Sequence, residues 1–512
     1  MTDKKTSCRP DNGRLAEQRK KKRLAEKDLR ERNEATGLKG KSRESVPNRK
    51  CPYETVEEEQ AEREEALTEQ LRIMKAQLPA LLKRLAGIKD PRNPKKCKHK
   101  FRVLMIYGIL TFVFQMSSRR EANREMTRPM FIQNLLLFFP ELTELPHNDT
   151  LMRLLSEIDV GEIEKAHIEL IRQFVRKKKF RRYLIEKCYP VAIDGTRKFV
   201  RSEIWSEECS ERKLKKGQKK EEEKKEYYVY VPEACMAFSN GMTIPLMSEF
   251  LSYAEGDTDN SKQDCELKAF HRLAGRLKKE FPRLRIMVLL DGLYPNGPVT
   301  DCCLENNWQF MIVLKDGSLS GVWEEYNALR ELEGNNSIKK NWGNRRQKFQ
   351  WVSRIEHWYG EKEKKRVIIH VIVCEETWDE VNARAETEHK SSRHAWISSE
   401  PFSIWNVHER CNLGARHRWG IETGILVEKQ HGWRYEHCFS YNRNAMKGYH
   451  YLMRTGHLFV ILARYSECLI KKVKELGVRG FIRFIRETAA GPWLREEKVF
   501  RRLNRNFQLR LA

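Results

Sequence analysis

The chain has 512 residues, enough for roughly two to four domains, and its 98 Lys and Arg outnumber 72 Asp and Glu to give a formal net charge of +26. This excess favours a polyanionic partner such as nucleic acid. The longest apolar run, residues 103–114, is too short to span a bilayer, and the N-terminus is charged and lacks a signal-peptide pattern, so we expect a cytoplasmic protein with no membrane partner.

The N-terminal third divides into two segments by composition. Residues 1–50 are dominated by charged and small polar types, with a basic peak at 19–23, and cannot bury a core. They predict a flexible basic arm that either contacts phosphates or is a solvated tail. Residues 51–160 repeat apolar side chains at helical spacing and carry many cations, which predicts a helical domain. Its positive charge suggests sequence-specific docking on DNA, although helical bundles serve many other functions.

Two apolar runs in the middle of the chain finish in an Asp-Gly pair. The first, near residue 189, is a predicted strand ending at Asp194, and it opens a three-stranded meander whose hairpin turn is Asn240-Gly241. A predicted helix over 261–281 precedes the second run, a buried strand that ends at Asp291. Either pair alone is typical of a plain turn, but acids at two strand ends also favour a ligand site.

A β-rich stretch over about 318–395 separates these strands from a later helix that carries a charged stripe. Arg418 and Glu422 are four residues apart and Lys429 follows seven later, so all three share one face. This pattern suits a carboxylate that holds a metal among phosphates, although a solvated, salt-bridged stripe has the same spacing. The two upstream aspartates favour the first interpretation.

Taken together, these motifs resemble the DDE transposases of bacterial insertion sequences. The segments are Asp194-Gly-Thr, Asp291-Gly-Leu-Tyr and Arg418-Trp-Gly-Ile-Glu422 with Lys429. Their spacing is similar to the subgroup signature of Tyr, two residues, Arg, three residues, Glu, six residues and Lys, but Ala415 stands at the Tyr position. The resemblance covers about residues 186–460.

The resemblance implies an α/β fold with a ribonuclease-H-like core: a mixed five-stranded sheet with helices, interrupted by a β-rich insertion between the second Asp and the Glu, and preceded by a helical domain. The expected domains are a basic arm (1–50), a helical DNA-end-binding domain (51–160) and the first part of the catalytic core (161–317). They are followed by the β-rich insertion (318–396), the second part of the core with the Glu helix (397–464) and a C-terminal helical segment (465–512).

The resemblance also implies the chemistry. Asp194, Asp291 and Glu422 would be the catalytic residues and would bind two Mg²⁺ ions, which Mn²⁺ can replace, with Asp194 shared by both ions. Arg418 and Lys429 would hold DNA phosphates near the cut. Trp433 would either stack on a displaced base or be a core aromatic.

The expected function is therefore a DNA transposase, an Mg²⁺-dependent endonuclease and polynucleotidyl transferase that cuts transposon ends and joins them to target DNA. Its partner would be double-stranded DNA at the transposon ends and the target, bound by a homodimer on paired ends and associated with the nucleoid. Two alternatives stay open: a nuclease of the same fold without strand transfer, and a DNA-binding protein whose acids are only structural.

Overall fold

The structure is a computed structural model that describes residues 12–39, 46, 48, 50–205, 209–213, 225–251, 262–332, 334–360 and 365–512. The predicted turn residues Asp257 and Asp259, and part of the charged segment after Arg201, lie outside the described residues.

The described residues form an α/β protein. Its helices are α1 (Asn12–Ala35), α2 (Val56–Leu85), α3 (Phe101–Val113), α4 (Arg119–Glu125), α5 (Pro129–Leu136), α6 (Asn148–Glu157), α7 (Gly161–Arg176), α8 (Lys262–Glu280), α9 (Gly297–Glu305), α10 (Ser320–Leu332), α11 (Trp419–Gln430), α12 (Arg443–Arg464), α13 (Ile470–Ala490) and α14 (Glu496–Leu503). Its strands are β1 (Tyr189–Arg201), β2 (Ser210–Lys213), β3 (Lys225–Ala237), β4 (Thr243–Ser248), β5 (Ile286–Leu290), β6 (Gln309–Val313), β7 (Ser337–Trp342), β8 (Arg345–Tyr359), β9 (Lys365–Val381) and β10 (Thr387–Ser398). None of the helices formed by these residues is both long enough and apolar enough to cross a membrane.

The chain divides into two compact units. The smaller unit is Met1–Glu44, Asp291–Asp301 and Phe310–Cys411, and the larger unit is Ser45–Leu290, Cys302–Gln309 and Asn412–Ala512. Each unit is built from segments that are distant in sequence.

The larger unit contains a mixed sheet. Its strand order is β2-β3-β1-β5, with β4 paired to β3, and β1 is parallel to β5 but antiparallel to β3. The predicted meander is confirmed as β1, β3 and β4, and its hairpin turns at Asn240 and Gly241, where Gly241 has φ +87°. Positive φ favours glycine, so local turn chemistry explains this hairpin.

Strand β1 is longer than the sequence predicts. The predicted end at Asp194 is wrong, because β1 continues to Arg201. Its parallel pairing with β5 ends at Ala192 opposite Leu289, whereas its antiparallel pairing with β3 continues past Asp194 to Arg201. Asp194 therefore lies two residues beyond the last parallel pair, on a part of β1 that stays paired with β3.

Helices pack around this sheet in the larger unit. The apolar helix α3 is buried from Val103 to Val113 and lies against α12, where a Cβ added to Gly108 would meet Leu452 Cδ1 at 2.7 Å. Such close approach needs glycine at the contact. The longest apolar run of the chain is thus a core helix.

The smaller unit contains an antiparallel β structure in the order β6-β10-β9-β8-β7, together with α1, α10 and the first part of α9, residues 297–301. Strands β7 to β9 and most of β10 lie within the stretch that the sequence predicts to be β-rich. Residues 12–35, predicted to belong to a flexible arm, instead form helix α1, which packs on β9. The helix carries three Glu–Lys pairs at i,i+4 spacing, including Lys21–Glu17 at 3.0 Å, and buries Asn33 at its end.

Candidate active site

Asp194 lies in the middle of the larger unit's sheet. Its strand has β3 on one side and β5 on the other, and Asp194 stands directly opposite Glu233 of β3. Its carboxylate accepts the backbone N–H of Gly195 at 2.9 Å, and its side chain is 22% exposed. The acid is therefore fixed by the sheet yet open to a ligand on its exposed side.

Glu422 reaches the same place from helix α11. The helix begins at Trp419, so Glu422 is in its first turn, where the helix dipole favours a negative charge. Arg418 and Glu422, predicted to share a face, form an ion pair in which Arg418 Nη2 lies 2.8 Å from Glu422 Oε1. Arg418 Nη1 lies 3.5 Å from Asp194 Oδ2, and the Arg418 side chain is only 7% exposed. One buried guanidinium thus joins two of the three predicted catalytic acids.

Asp291 is the residue directly after β5 and is counted with the smaller unit. One carboxylate oxygen accepts the N–H of Leu293 at 2.8 Å, and the other lies 3.9 Å from Lys315 Nζ. The aspartate thus closes a turn, as the plain interpretation of an Asp-Gly pair requires, and keeps a cation beside its carboxylate.

Asp194 and Glu422 have the oxygen ligands of a hard-cation site but not its full set. Within the described ranges, no group of three His, Cys, Asp or Glu side chains is arranged to hold a metal ion. The donor types do fit, because Asp194 and Glu422 offer carboxylate oxygens, which suit Mg²⁺. Arg418 contacts both acids and offsets their charge, so an ion that bound them would have to displace part of this contact.

Lys429 lies at the edge of an open cleft beside Asp194. The cleft has a volume of about 580 Å³, and its wall includes Gly195, Arg197, Tyr230 and Lys429. Both cations are paired with acids: Lys429 Nζ is 2.9 Å from Glu436, and Arg197 is 3.8 Å from Glu226. A polyanion entering this cleft would have to compete with exposed acids, which hold their partners weakly in water.

Trp433 is fully buried, and its ring lies 4.3 Å from the ring of His457. Of the two alternatives that the sequence leaves open for Trp433, its position here is that of a core aromatic. Tyr435 is equally buried and donates its hydroxyl to Glu233 at 2.7 Å.

A buried ionic network behind Asp194 and Glu422 is not predicted from the sequence. Arg454 of α12 lies at its centre: Nη1 is 2.8 Å and 3.0 Å from the two oxygens of Glu428, and Nη2 is 3.2 Å from Glu233. His457 contacts Glu428 at 2.5 Å, and His450 lies 3.3 Å from Glu233. All five side chains are buried. A signal was present in α12, where Arg454 interrupts an apolar helix.

Burial and charge shift the pKa values of this network in opposite directions. Burial alone would raise the pKa of Glu428, but Arg454 and His457 lower it to about 2. Burial lowers the pKa of His450 to about 4, assisted by Lys198, whose own pKa is lowered by burial to about 8. The two glutamates are therefore held as carboxylates at neutral pH around a charged Arg454, while His450 stays neutral.

Comparison with known proteins gives one family similarity. Residues 82–171, less than a fifth of the chain, match the family described as DDE_Tnp_1-associated. The matched region runs from the end of α2 through α7, and it suggests a relationship to DDE-family transposases. No curated protein matches the chain.

Proposed function

We propose that the chain is a DNA transposase of the DDE type, which cuts transposon ends and joins them to target DNA by metal-dependent phosphoryl transfer. The observation that carries the proposal is that Arg418 joins Asp194 and Glu422, acids from distant parts of the sequence, beside an open cleft. The transposase-associated family match over residues 82–171 supports the same class from an independent part of the chain.

The register of the parallel pair β1–β5 supports Asp291 as the third acid. Ala192 pairs with Leu289, an offset of 97 residues (289 − 192 = 97). Asp194 and Asp291 have the same offset (291 − 194 = 97). Asp194 and Asp291 therefore each follow the last pair of this ladder by two residues along their own strand. The mixed pairing around β1 is also what a ribonuclease-H-like core would have, and we propose that fold for it.

In this proposal Asp194, Asp291 and Glu422 would hold two Mg²⁺ ions, with Asp194 shared. Bound Mg²⁺ supplies Lewis-acid activation of a water or 3′-hydroxyl nucleophile and stabilises the charge on the phosphate. The side chain of Arg418 would move from the carboxylates to a phosphate oxygen, because its guanidinium matches both. Lys429, at the cleft edge, would exchange Glu436 for a phosphate of the same strand.

The DNA would also contact cations away from the acids. On α14 and just after it, Lys498, Arg501 and Arg505 share one exposed face and line a cleft of about 230 Å³ against α2. In the part of the chain that the structure describes, no ion pair neutralises these three, whereas their neighbour Arg502 is paired with Glu65 at 2.9 Å. We assign them to backbone phosphates of double-stranded DNA, bound by a dimer on paired ends at the nucleoid.

The test is cleavage and joining by the purified chain on DNA that carries the sequences flanking its gene. Wild type is expected to nick this DNA only with Mg²⁺ or Mn²⁺ and to join an end with a free 3′-hydroxyl to a second duplex. Asp194→Asn is expected to bind the DNA normally and not to cleave it. Asp301→Asn is the matched control, since Asp301 accepts the hydroxyl of Tyr359 and has no place in the proposed site.

Cleavage by Asp194→Asn at the wild-type rate would contradict the proposal. Cleavage by wild type without any joined product would instead favour a nuclease of the same fold. DNA binding that does not depend on metal, without any DNA cleavage, would favour a DNA-binding protein whose acids are structural.

A further inference from the structure

Helix α11 carries two glutamates with different surroundings. Glu422, in the first turn, has a side chain that is 37% exposed and contacts Arg418. Glu428, six residues later, is 1% exposed and faces α12. Six residues at about 100° each turn the two side chains to different sides of the helix. One side therefore presents a proposed metal ligand, and the other is held in the interior.

Arg454 connects the buried side of α11 to the strand next to Asp194. Its Nη1 contacts both oxygens of Glu428, and its Nη2 lies 3.2 Å from Glu233. Glu233 is the residue of β3 that stands opposite Asp194. The path from Glu422 to Asp194 thus runs through α11, Glu428, Arg454, Glu233 and one pair of the β1–β3 ladder.

Every charge in this path has further partners. Glu233 accepts hydrogen bonds from Tyr435 at 2.7 Å and from the Ser248 hydroxyl at 2.6 Å. Buried ionic groups are expensive, and apolar side chains of similar volume often give equal or better stability. Stability alone is therefore a weak reason for this arrangement, whereas directional hydrogen bonds fix a helix against a sheet more sharply than apolar packing does.

We infer that Arg454 is a positioning residue that sets the separation of Asp194 and Glu422, so that both carboxylates reach the metal ion that they share. The inference rests on the proposed function. Its physical basis is that catalytic groups need placement within about 0.5 Å, and that a misplacement of about 1 Å costs up to roughly 100-fold in rate.

The test uses Arg454→Met, which keeps the length of the side chain and removes its charge, and Arg454→Lys, which restores one cation. Two properties are measured without turnover: Mn²⁺ binding by electron paramagnetic resonance, and hydrogen–deuterium exchange of α11 in the metal-free protein. Single-turnover DNA cleavage is measured as a function of Mg²⁺ concentration. All are read at a temperature at which circular dichroism reports a folded protein.

Arg454→Met is expected to weaken Mn²⁺ binding several-fold, to speed exchange in α11, and to lower the cleavage rate at least tenfold, with duplex affinity within twofold of wild type. Arg454→Lys is expected to recover part of each loss. Arg345→Met is the matched control, because it leaves another fully buried carboxylate, Glu376, without its arginine, and both residues belong to the smaller unit. It is expected to keep wild-type Mn²⁺ binding.

Folded Arg454→Met with wild-type Mn²⁺ binding and cleavage would overturn the inference, as would an equal loss in Arg345→Met. If Arg454→Met does not fold, Glu428→Gln takes its place, since the amide keeps the shape of the side chain, and wild-type behaviour of that variant would again overturn it. An inactive wild type would overturn the proposed function instead, and Mn²⁺ binding and exchange would still report on Arg454.

Discussion

Gly195 is the residue at which the packing around Asp194 is tightest, and Gly195→Ala is the most informative single change there. A Cβ at this position would lie 2.5 Å from Tyr230 Cε1 and 2.6 Å from Cζ, well inside van der Waals contact. The Tyr230 ring packs against Leu251 and Ala269, and its hydroxyl donates to Glu266 at 2.8 Å. The ring has to move, and the hydrogen bond to Glu266 is strained or lost.

The magnitude follows from these two costs. Overpacking a well-packed site costs about 1 to 3 kcal/mol, and a hydrogen bond to a charged group contributes about 1.5 to 3 kcal/mol. Because Tyr230 is only half-buried, the ring can relax toward the cleft, and we expect Gly195→Ala to lower the free energy of unfolding by about 2 to 4 kcal/mol. The shift also displaces the neighbouring Asp194, so DNA cleavage is expected to fall.

The assay is urea unfolding followed by circular dichroism, in a double-mutant cycle with Tyr230→Ala. In the Tyr230→Ala background, Gly195→Ala is expected to cost less than about 0.5 kcal/mol, because the clash is gone. Gly275→Ala is the control, since a Cβ there meets nothing within 4 Å, and a helical glycine replaced by alanine stabilises by roughly 0.5 to 1 kcal/mol. If Gly195→Ala lowered the free energy of unfolding equally in both backgrounds, the clash with Tyr230 would not be its cause.

Three further predictions concern DNA binding, pH and the core. Neutralising Lys498, Arg501 and Arg505 together to Gln is expected to reduce the slope of log affinity against log salt by about 2 to 3 on duplex DNA, and an unchanged slope would exclude this face. Burial lowers the pKa of His167 to about 4, whereas in the unfolded chain it is about 6.5, so the free energy of unfolding is expected to fall as the pH drops through this range. Urea unfolding of His167→Gln at several pH values should show a weaker dependence of that free energy on pH. Trp433→Ala is expected to lower the free energy of unfolding by about 3 to 5 kcal/mol, while the folded fraction keeps its affinity for duplex DNA. Weaker binding of DNA by the folded variant would instead indicate that Trp433 contacts DNA.

The parts of the fold that depend on local chemistry could be predicted from the sequence. The β3–β4 hairpin follows from Asn240-Gly241, and the Arg418–Glu422 contact follows from i,i+4 spacing. The composition of residues 1–50 does not predict helix α1. It shows that this segment cannot form a core of its own, but a helix can also be held by packing on another element. The Glu–Lys pairs of α1 at i,i+4 spacing were the local signal for it.

The parts that depend on distant pairing could not be predicted. The polar end of β1 loses the apolar pattern of a strand, and its continuation to Arg201 depends on β3, which is remote in sequence. Charged residues such as Glu233, Glu428 and Arg454 are expected on the surface from their residue type. Only the tertiary structure shows that these three are buried and neutralise one another. Sequence spacing thus selects the candidate acids, whereas the buried network behind Asp194 and Glu422 is visible only in the tertiary structure.

The proposed active site requires that Asp194, Asp291 and Glu422 bind two metal ions, with Asp194 shared by both. The most direct measurement is anomalous scattering from Mn²⁺ in crystals of the chain with duplex DNA. We expect two Mn²⁺ peaks at these carboxylates, with Asp194 shared by both ions and Arg418 turned to a phosphate. Mn²⁺ peaks located elsewhere, with Arg418 still joining Asp194 to Glu422, would contradict it.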